Sequence, residues 1–239
     1  MHFVSTIGVF SSNIYERATV IREQDELPDS ESLSEGYDQS KWVAEKLVRT
    51  AYSRGLPVYI YRPGFISGDS QTGICNTADL LRRMLKGCIQ MGKTPDLDIM
   101  VDMTPVDYVS QAIVHLSKQK ELVGKAFHLV NPHPIPWNQL FDFIRSLGYS
   151  LELIPYKQWN FELLKLVQNS AENALHPLVS LFSDEAVSLQ TVRILSICFD
   201  SQKAIDGLAG SSISCPPIDK RLLNTYFSYL IQSGFLMGI

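Results

Sequence analysis

The sequence has few cysteines and lacks the short spacings that metal sites need. Its four cysteines stand far apart without a Cys-x-x-Cys pair, and its five histidines show no His-Glu-x-x-His pattern. Zinc sites and disulfide frameworks are recognised by such spacings. We therefore expect neither a metal site nor a disulfide scaffold, and a reduced, cytoplasmic setting is the default expectation.

The sequence also lacks an excess of basic residues and a long apolar run. Its 21 Lys and Arg are outnumbered by 25 Asp and Glu, whereas nucleic-acid binders need a basic stripe to neutralise phosphates. A membrane-spanning helix takes about 20 consecutive apolar residues, and the segment MHFVSTIGVFSS has no basic start like that of a signal peptide. The sequence predicts a protein that binds neither nucleic acid nor a membrane.

What the sequence does contain is an alternation of strand and helix patterns over its first part. Residues 2–10 predict a short buried strand that ends in small polar residues. A helix is expected from about Glu35 to Ser53, with Ser34 as its N-cap and Gly55 as its stop, and residues 57–63 (PVYIYRP) predict the next strand. The expected apolar face of this helix consists of Ala44, Leu47, Val48 and Ala51. A strand, a helix and a second strand in this order form the crossover of a parallel α/β sheet.

The pattern repeats once and then changes. Helices are predicted at 76–92 and 105–119, and a strand at 126–132. Beyond that point the predicted elements are a helix at 136–149, a strand at 151–156, a helical stretch at 159–182 and a last helix within 215–236. We expect two domains, a partial Rossmann-like α/β domain at 1–132 and a mostly helical lobe at 133–239.

Tyr37 and Lys41 are the first candidates for chemistry. Residues four apart on a helix lie on one face, with Cβ atoms about 5–6 Å apart. A lysine ammonium beside a phenol favours the phenolate, and such a tyrosine can protonate an oxyanion as it forms. Ser5 or Thr6, at the end of the preceding strand, could hold the substrate oxygen. Tyr-x-x-x-Lys also occurs by chance, so an ordinary surface pair is the alternative.

Several blocks carry a family resemblance. FVSTIGVF, GYDQSKWVAEKLV, VYIYRPGFISGDSQTG and TPVDYVSQAIVHL resemble the extended short-chain dehydrogenase/reductases. With the tail CPPIDKRLLNTYFSYLIQSGFL, they look like the thioester reductase domains of nonribosomal peptide and polyketide synthases, carboxylic acid reductases and aminoadipate reductases. The resemblance implies a catalytic triad of Thr6, Tyr37 and Lys41. Thr6 stands three residues before Val9, as the catalytic hydroxyl of that family does, and Ser5 is the runner-up.

The same resemblance implies a cofactor, a substrate and a partner. Tyr37 and Lys41 would also contact the cofactor, and four residues that follow one another would line the nicotinamide pocket: Pro63, Gly64, Phe65 and Ile66. The implied reaction is the NADPH-dependent reduction of an acyl or peptidyl thioester on a phosphopantetheinyl carrier domain, which releases an aldehyde or an alcohol. The helical lobe would supply much of the acyl-binding wall from WNFELLKLV and PLVSLF.

Two other functions stay open at this point. A sugar-nucleotide epimerase or dehydratase of the same superfamily would use the same triad, although the tail favours the reductase. A catalytically inactive binding module is the second alternative, because the glycine-rich turn that holds the cofactor pyrophosphate has no counterpart in the sequence. About four strands of the expected sheet are also missing. We therefore expect the chain to be the C-terminal part of a longer domain and to be inactive in isolation.

One motif is rejected from its context. GCIQMGKT, residues 87–94, matches the phosphate-binding pattern G-x-x-x-x-G-K-[ST], which requires a strand before it and a helix after it. Here a helical pattern precedes the motif and a poor helix former follows it. We therefore expect no phosphate site at these residues.

Overall fold

The computed structural model describes residues 1–12, 14–15, 20–33, 35–183 and 197–238. The α-helices are α1 Gly36–Ser53, α2 Leu80–Met91, α3 Val106–Leu116, α4 Trp137–Ser146, α5 Tyr156–Asn169, α6 Ser180–Ser183, α7 Gln202–Leu208 and α8 Lys220–Gln232. The strands are β1 His2–Val4, β2 Val20–Ile21, β3 Tyr59–Pro63, β4 Lys93–Asp96, β5 Met100–Val101, β6 Ala126–Leu129, β7 Ile135–Pro136, β8 Glu152–Pro155 and β9 Cys198–Phe199. Ser34, the expected N-cap of α1, lies outside the described residues.

The chain divides into two compact units. The first unit consists of Met1–Ser70, Asp102–Pro134 and Ser196–Pro217, and the second of Gln71–Val101, Ile135–Leu195 and Ile218–Ile239. The segments of the two units alternate along the chain, whereas the sequence predicted a single boundary after residue 132. The assignment of cofactor and substrate roles to two parts of the chain stays a prediction.

The first unit is built on the parallel sheet that the sequence predicted. Its strand order is β1-β3-β6, and β3 pairs with both neighbours in parallel. All five residues of β3, from Tyr59 to Pro63, are buried. A strand with helices on both faces of its sheet has no solvated side, so an apolar and aromatic run is what this position needs.

Successive residues of β3 serve opposite faces of the sheet. Ile60 packs with Val48 of α1 on one face. Tyr59 and Tyr61 pack on the other face in a cluster with residues of α3, α7 and β6, which include Val109, Ala112, Phe127, Ala204 and Leu208. The sheet therefore has α1 on one side and α3 with α7 on the other, which is the layering of an α/β fold.

The strand expected over residues 2–10 is shorter in the structure. β1 ends at Val4, and residues Ile7–Phe10 form a 3₁₀ helix instead. Thr6 causes the change, because its Oγ1 accepts a hydrogen bond of 3.0 Å from the N–H of Gly8 and caps the turn. Threonine side chains compete in this way with strand hydrogen bonds. Val9 and Phe10 are buried all the same.

Helix α1 follows the predicted bounds, but its buried face is different. It ends at Ser53, and Gly55 has φ +95, the left-handed conformation that favours glycine at a helix end. Val48 is buried as expected, whereas Leu47 is 66% exposed and Glu45 is fully buried. The prediction was wrong there because apolar periodicity does not reveal a carboxylate that is paired inside the protein.

In the second unit, β4 pairs with β8 in parallel and β5 with β7 in antiparallel fashion. α2 ends at Met91, Gly92 with a φ of +65 is its C-cap, and Lys93 then begins β4. The GCIQMGKT match therefore covers a helix end followed by a strand, which confirms its rejection as a phosphate site. Trp159 of WNFELLKLV is buried and Phe161 is 69% exposed, and their acyl-binding role stays a prediction. Within the described residues no helix has the length and apolarity to cross a membrane.

Candidate active site

Helix α1 presents Tyr37 and Lys41 in its first turns. Tyr37 is 61% exposed. The Lys41 Nζ lies 6.0 Å from the centroid of the Tyr37 ring and 5.7 Å from that of Phe3. It also donates a hydrogen bond of 3.1 Å to the carbonyl of Val4, the last residue of β1. The lysine therefore joins the start of α1 to the end of β1 and stands beside the phenol, as the sequence predicted.

Thr6 and the first turn of α1 meet at Gly8. A Cβ atom added to Gly8 would lie 2.2 Å from Oδ1 of Asp38 and 3.3 Å from Oγ1 of Thr6. Asp38 follows Tyr37 in the sequence and is buried. Its carboxylate therefore packs directly on the backbone of the loop that carries Thr6. Sequence reasoning missed this residue, because an aspartate in a first helical turn usually faces water.

Burial raises the pKa of Asp38 to about 6, although a hydrogen bond with the Ser11 side chain acts in the opposite direction. Ser11 belongs to the end of the same loop, so the contacts of Asp38 link α1 to both Gly8 and Ser11. These contacts fix the loop of Thr6 against the helix turn of Tyr37.

Ser5 and Thr6 have different surroundings. The Ser5 hydroxyl is 3% exposed and donates a hydrogen bond of 2.7 Å to Oε2 of Glu45. Thr6 is only partly buried, and its Oγ1 accepts from Gly8, which leaves its own proton available for donation. The geometry favours Thr6 over Ser5 as the hydroxyl that holds a substrate oxygen.

A buried ion pair joins α1 to β3. Arg62 of β3 and Glu45 of α1 are both fully buried, and the Arg62 Nη2 donates to Oε1 of Glu45 at 2.6 Å and its Nε to Oε2 at 3.2 Å. Burial alone would raise the pKa of Glu45, but the hydrogen bonds and charge of Arg62 outweigh it and hold the pKa below its usual value. This fork of two parallel bonds sets the position of α1 on the sheet.

The pair extends to β6 and α7 through two more buried side chains. His128 donates from Nδ1 to the carbonyl of Asp200 at 2.8 Å, so its Nε2 accepts from Arg62 at 3.1 Å. Burial and the charge of Arg62 lower the pKa of His128 to about 3. Glu23 accepts hydrogen bonds from the backbone N–H groups of His128, Lys203 and Ala204, and burial raises its pKa to about 7. Sequence reasoning missed this network, which reaches the end of β1 through the hydrogen bond from Ser5 to Glu45.

The four residues expected to line a nicotinamide pocket leave β3 at its carboxyl end. The N–H of Gly64 donates to the carbonyl of Leu129 at 3.0 Å, and the N–H of Phe65 to Oδ2 of Asp102 at 3.2 Å. The Phe65 carbonyl accepts from the N–H of Thr104 at 2.9 Å. The N–H groups of Gly64 and Phe65 and one lone pair of the Phe65 carbonyl are therefore used within the fold. Pro63 is buried, Ile66 is 41% exposed, and their contact with nicotinamide stays a prediction.

Comparisons with known proteins match this chain to a family and to part of a longer relative. Residues 1–113 match an NAD-binding family described as "Male sterility protein". A linear gramicidin synthase of Brevibacillus parabrevis is 38% identical over 242 residues, which cover 99% of this chain and 5% of that protein. The chain therefore spans a small part of this curated relative.

Two solved structures resemble the fold over nearly the whole chain. The terminal R domain from the myxalamid PKS-NRPS biosynthetic pathway is 43% identical, with a TM-score of 0.89 over 99% of this chain and 59% of that one. A thiolation-reductase di-domain from an archaeal non-ribosomal peptide synthetase is 25% identical, with a TM-score of 0.75 over 98% of this chain and 49% of that one.

Proposed function

Because the chain belongs to the thioester reductase domains of the extended short-chain dehydrogenase/reductases, we propose that it carries the catalytic residues of an NADPH-dependent reductase. The proposed substrate is an acyl or peptidyl thioester, which is released as an aldehyde or an alcohol. The observation that carries the proposal is the placement of Lys41 beside Tyr37 and against the end of β1, next to the loop of Thr6.

The residues present fit the nicotinamide end of such a cofactor. Lys41 uses one donor for the Val4 carbonyl, and an ammonium has three, so two are left for ribose hydroxyls. Tyr37 is exposed at the same place. Ile66 offers an exposed apolar surface just after β3 for one side of a ring. The glycine-rich turn for the pyrophosphate is not among these residues.

In the proposed mechanism, a bound nicotinamide cofactor would supply the hydride that the thioester carbonyl carbon accepts. Thr6 donates its hydroxyl proton in a hydrogen bond to the carbonyl oxygen, and Tyr37 protonates that oxygen as negative charge develops on it. Lys41 stabilises the phenolate that remains. The resulting hemithioacetal returns its hydroxyl proton to the Tyr37 phenolate as its C–S bond breaks. An aldehyde is formed, and the thiolate leaves and takes a proton from water. A second hydride and proton would give the alcohol.

The proposed partner is a phosphopantetheinyl carrier domain that presents the thioester. The support comes from the relatives: one is a gramicidin synthase, and another contains a thiolation domain beside its reductase. No feature of the described residues favours the epimerase alternative over the reductase.

The test replaces Tyr37 with phenylalanine in the full-length protein that carries this chain. General acid catalysis contributes roughly 10²–10⁴-fold to the rate, so kcat for acyl-carrier thioester reduction should decrease by a factor in that range. The Kd of NADPH should stay within about 3-fold of the parent value, because one hydroxyl is lost from many contacts. NADPH oxidation and cofactor binding are the measurements. Tyr52→Phe is the matched control, since Tyr52 is an exposed tyrosine of the same helix.

The outcome also separates the alternatives. If Tyr37→Phe keeps a rate within a few-fold of the parent while chemistry limits turnover, Tyr37 is not the proton donor. If the parent protein binds NADPH but reduces no thioester, the inactive binding module is favoured. Turnover of a sugar nucleotide in place of the thioester would favour the epimerase.

A further inference from the structure

The carboxylate of Asp102 joins three segments of the first unit. Its Oδ2 accepts from the N–H of Phe65 at 3.2 Å, and its Oδ1 accepts from the N–H of Asn131 at 3.0 Å and from the Thr104 hydroxyl at 2.7 Å. Phe65 follows β3, Asn131 follows β6, and Thr104 precedes α3. One side chain therefore connects the exits of two parallel strands to the start of a helix.

Gly64 has a close contact with the same carboxylate. A Cβ atom at Gly64 would lie 1.8 Å from Oδ2 of Asp102 and 3.2 Å from a methyl of Val130. A distance of 1.8 Å is far inside van der Waals contact, so this position needs glycine for close approach of the backbone. Asp102 is thus packed on Gly64 and bonded to Phe65, two of the four residues proposed to face the nicotinamide.

Among the residues that the structure describes, those that bond to Asp102 are three neutral donors. Desolvation of its carboxyl group raises the pKa of Asp102 to about 6, against the three hydrogen bonds. Neutral donors stabilise a buried carboxylate less than a cation does. A carboxyl group whose burial costs stability at the end of a strand therefore points to a role other than stabilising the fold.

We propose that Asp102 is a positioning residue that holds the backbone of Gly64, Phe65 and Ile66 at the nicotinamide end of the site. It acts through this segment and does not itself touch the cofactor. Ile66 forms a bridge with Thr104, whose N–H donates to the Phe65 carbonyl and whose carbonyl accepts from the Ser67 N–H. Asp102 and Thr104 therefore hold the backbone on both sides of Ile66. The proposal rests on the proposed function, because it assumes that this segment faces the nicotinamide.

Asp102→Asn is the informative substitution because it is nearly isosteric. If its NH₂ replaces Oδ2, the Phe65 N–H loses its acceptor and the NH₂ lies against Gly64. If it replaces Oδ1, the Asn131 N–H loses its acceptor, while the Thr104 hydroxyl can turn and accept. In either case the Phe65 N–H no longer has a charged acceptor, so the substitution perturbs the segment in question.

The experiment compares two ligands of the full-length protein. NADPH reaches the nicotinamide end, whereas 2′,5′-ADP contains only the adenosine half. Asp102→Asn should weaken NADPH binding roughly 10-fold, the effect of about one hydrogen bond to a charged group, and leave 2′,5′-ADP within about 2-fold. Asp107→Asn is the matched control, since Asp107 accepts from the N–H and hydroxyl of Ser70 instead and should leave both affinities unchanged.

Equal losses for both ligands, or no loss for either, would overturn the positioning role. A parent protein that binds 2′,5′-ADP but not NADPH would contradict the proposed function itself, which is a different result. If Asp102→Asn does not fold, Thr104→Val decides, because it removes one donor to Asp102 and keeps the Thr104 N–H bond to Phe65. A selective loss of NADPH affinity of roughly 3-fold supports the proposal, and unchanged affinity overturns it.

Discussion

Replacing Glu45 with glutamine should remove a large share of the stability of the first unit. Glutamine keeps the shape of the side chain but leaves the guanidinium of Arg62, which is fully buried, without a counterion. In the described part of the chain, the remaining hydrogen-bond partners of Arg62 are the Glu23 carbonyl at 3.3 Å and His128 at 3.1 Å. Both are neutral groups, and protonation of His128 would only add a second positive charge.

The size of the loss follows from the burial of the pair. Removing one partner of a buried ion pair costs about 3–5 kcal/mol, and whole domains have about 5–15 kcal/mol of stability. For a chain of this length each kcal/mol lowers Tm by about 2–4 °C. Glu45→Gln should therefore lower the Tm of the transition that includes the first unit by roughly 6–20 °C.

Calorimetry and urea unfolding of the chain measure this loss. Arg49→Met is the matched control, because Arg49 contacts the same buried carboxylate at 3.0 Å from a side chain that is 30% exposed. Its loss leaves Glu45 paired with Arg62 and strands no buried charge, so it should cost about 1 kcal/mol. If Glu45→Gln costs no more than Arg49→Met, the neutral partners of Arg62 satisfy its charge. The importance assigned to the ion pair would then be refuted.

Two further predictions concern the neighbouring carboxylates. Gly8→Ala should lower the unfolding free energy by about 1–3 kcal/mol, since its methyl would meet Asp38. In the Asp38→Ala background the same substitution should cost less. If the two losses measured by urea unfolding are additive, the contact is contradicted. Glu23 has its pKa raised from 4.5 to about 7, so its stabilising contribution is complete below about pH 4.5 and is lost as the pH rises through about 7. The free energy of unfolding of the parent, relative to that of Glu23→Gln, should therefore fall by roughly 1–3 kcal/mol between about pH 5 and 8. His128 has the opposite pH dependence, but it is present in both proteins and cancels in this difference. A difference that grows with pH would disprove the prediction.

The order of strands and helices could be predicted from the sequence because apolar periodicity reports burial directly. PVYIYRP predicted β3 for this reason. Gly55 marked the end of α1 because a helix often ends in a left-handed residue, and the φ of +95 at Gly55 favours glycine. The strand over residues 2–10 was predicted too long, since the cap that Thr6 makes on Gly8 depends on side-chain direction and not on hydrophobicity.

The candidate site shows the same division. Tyr37 and Lys41 were predictable from helical spacing, and the structure places them together. The burial of Glu45 and Arg62 was not predictable, because the sequence gives the type of a charged residue but not whether it faces water or an oppositely charged residue. Asp102 was also missed, since its partners Phe65 and Asn131 come from segments that are far apart in the sequence. Such contacts depend on the assembled fold, which one sequence does not display.

The ion pair of Glu45 and Arg62 has a consequence for the evolution of the family. The two residues stand 17 positions apart, and loss of either one alone leaves a buried charge that costs several kcal/mol. A lineage cannot easily pass through that intermediate, so homologous sequences should keep both residues or replace both by neutral ones. Ser5, which donates to the same carboxylate, should be free to become another small residue only where Glu45 has also changed.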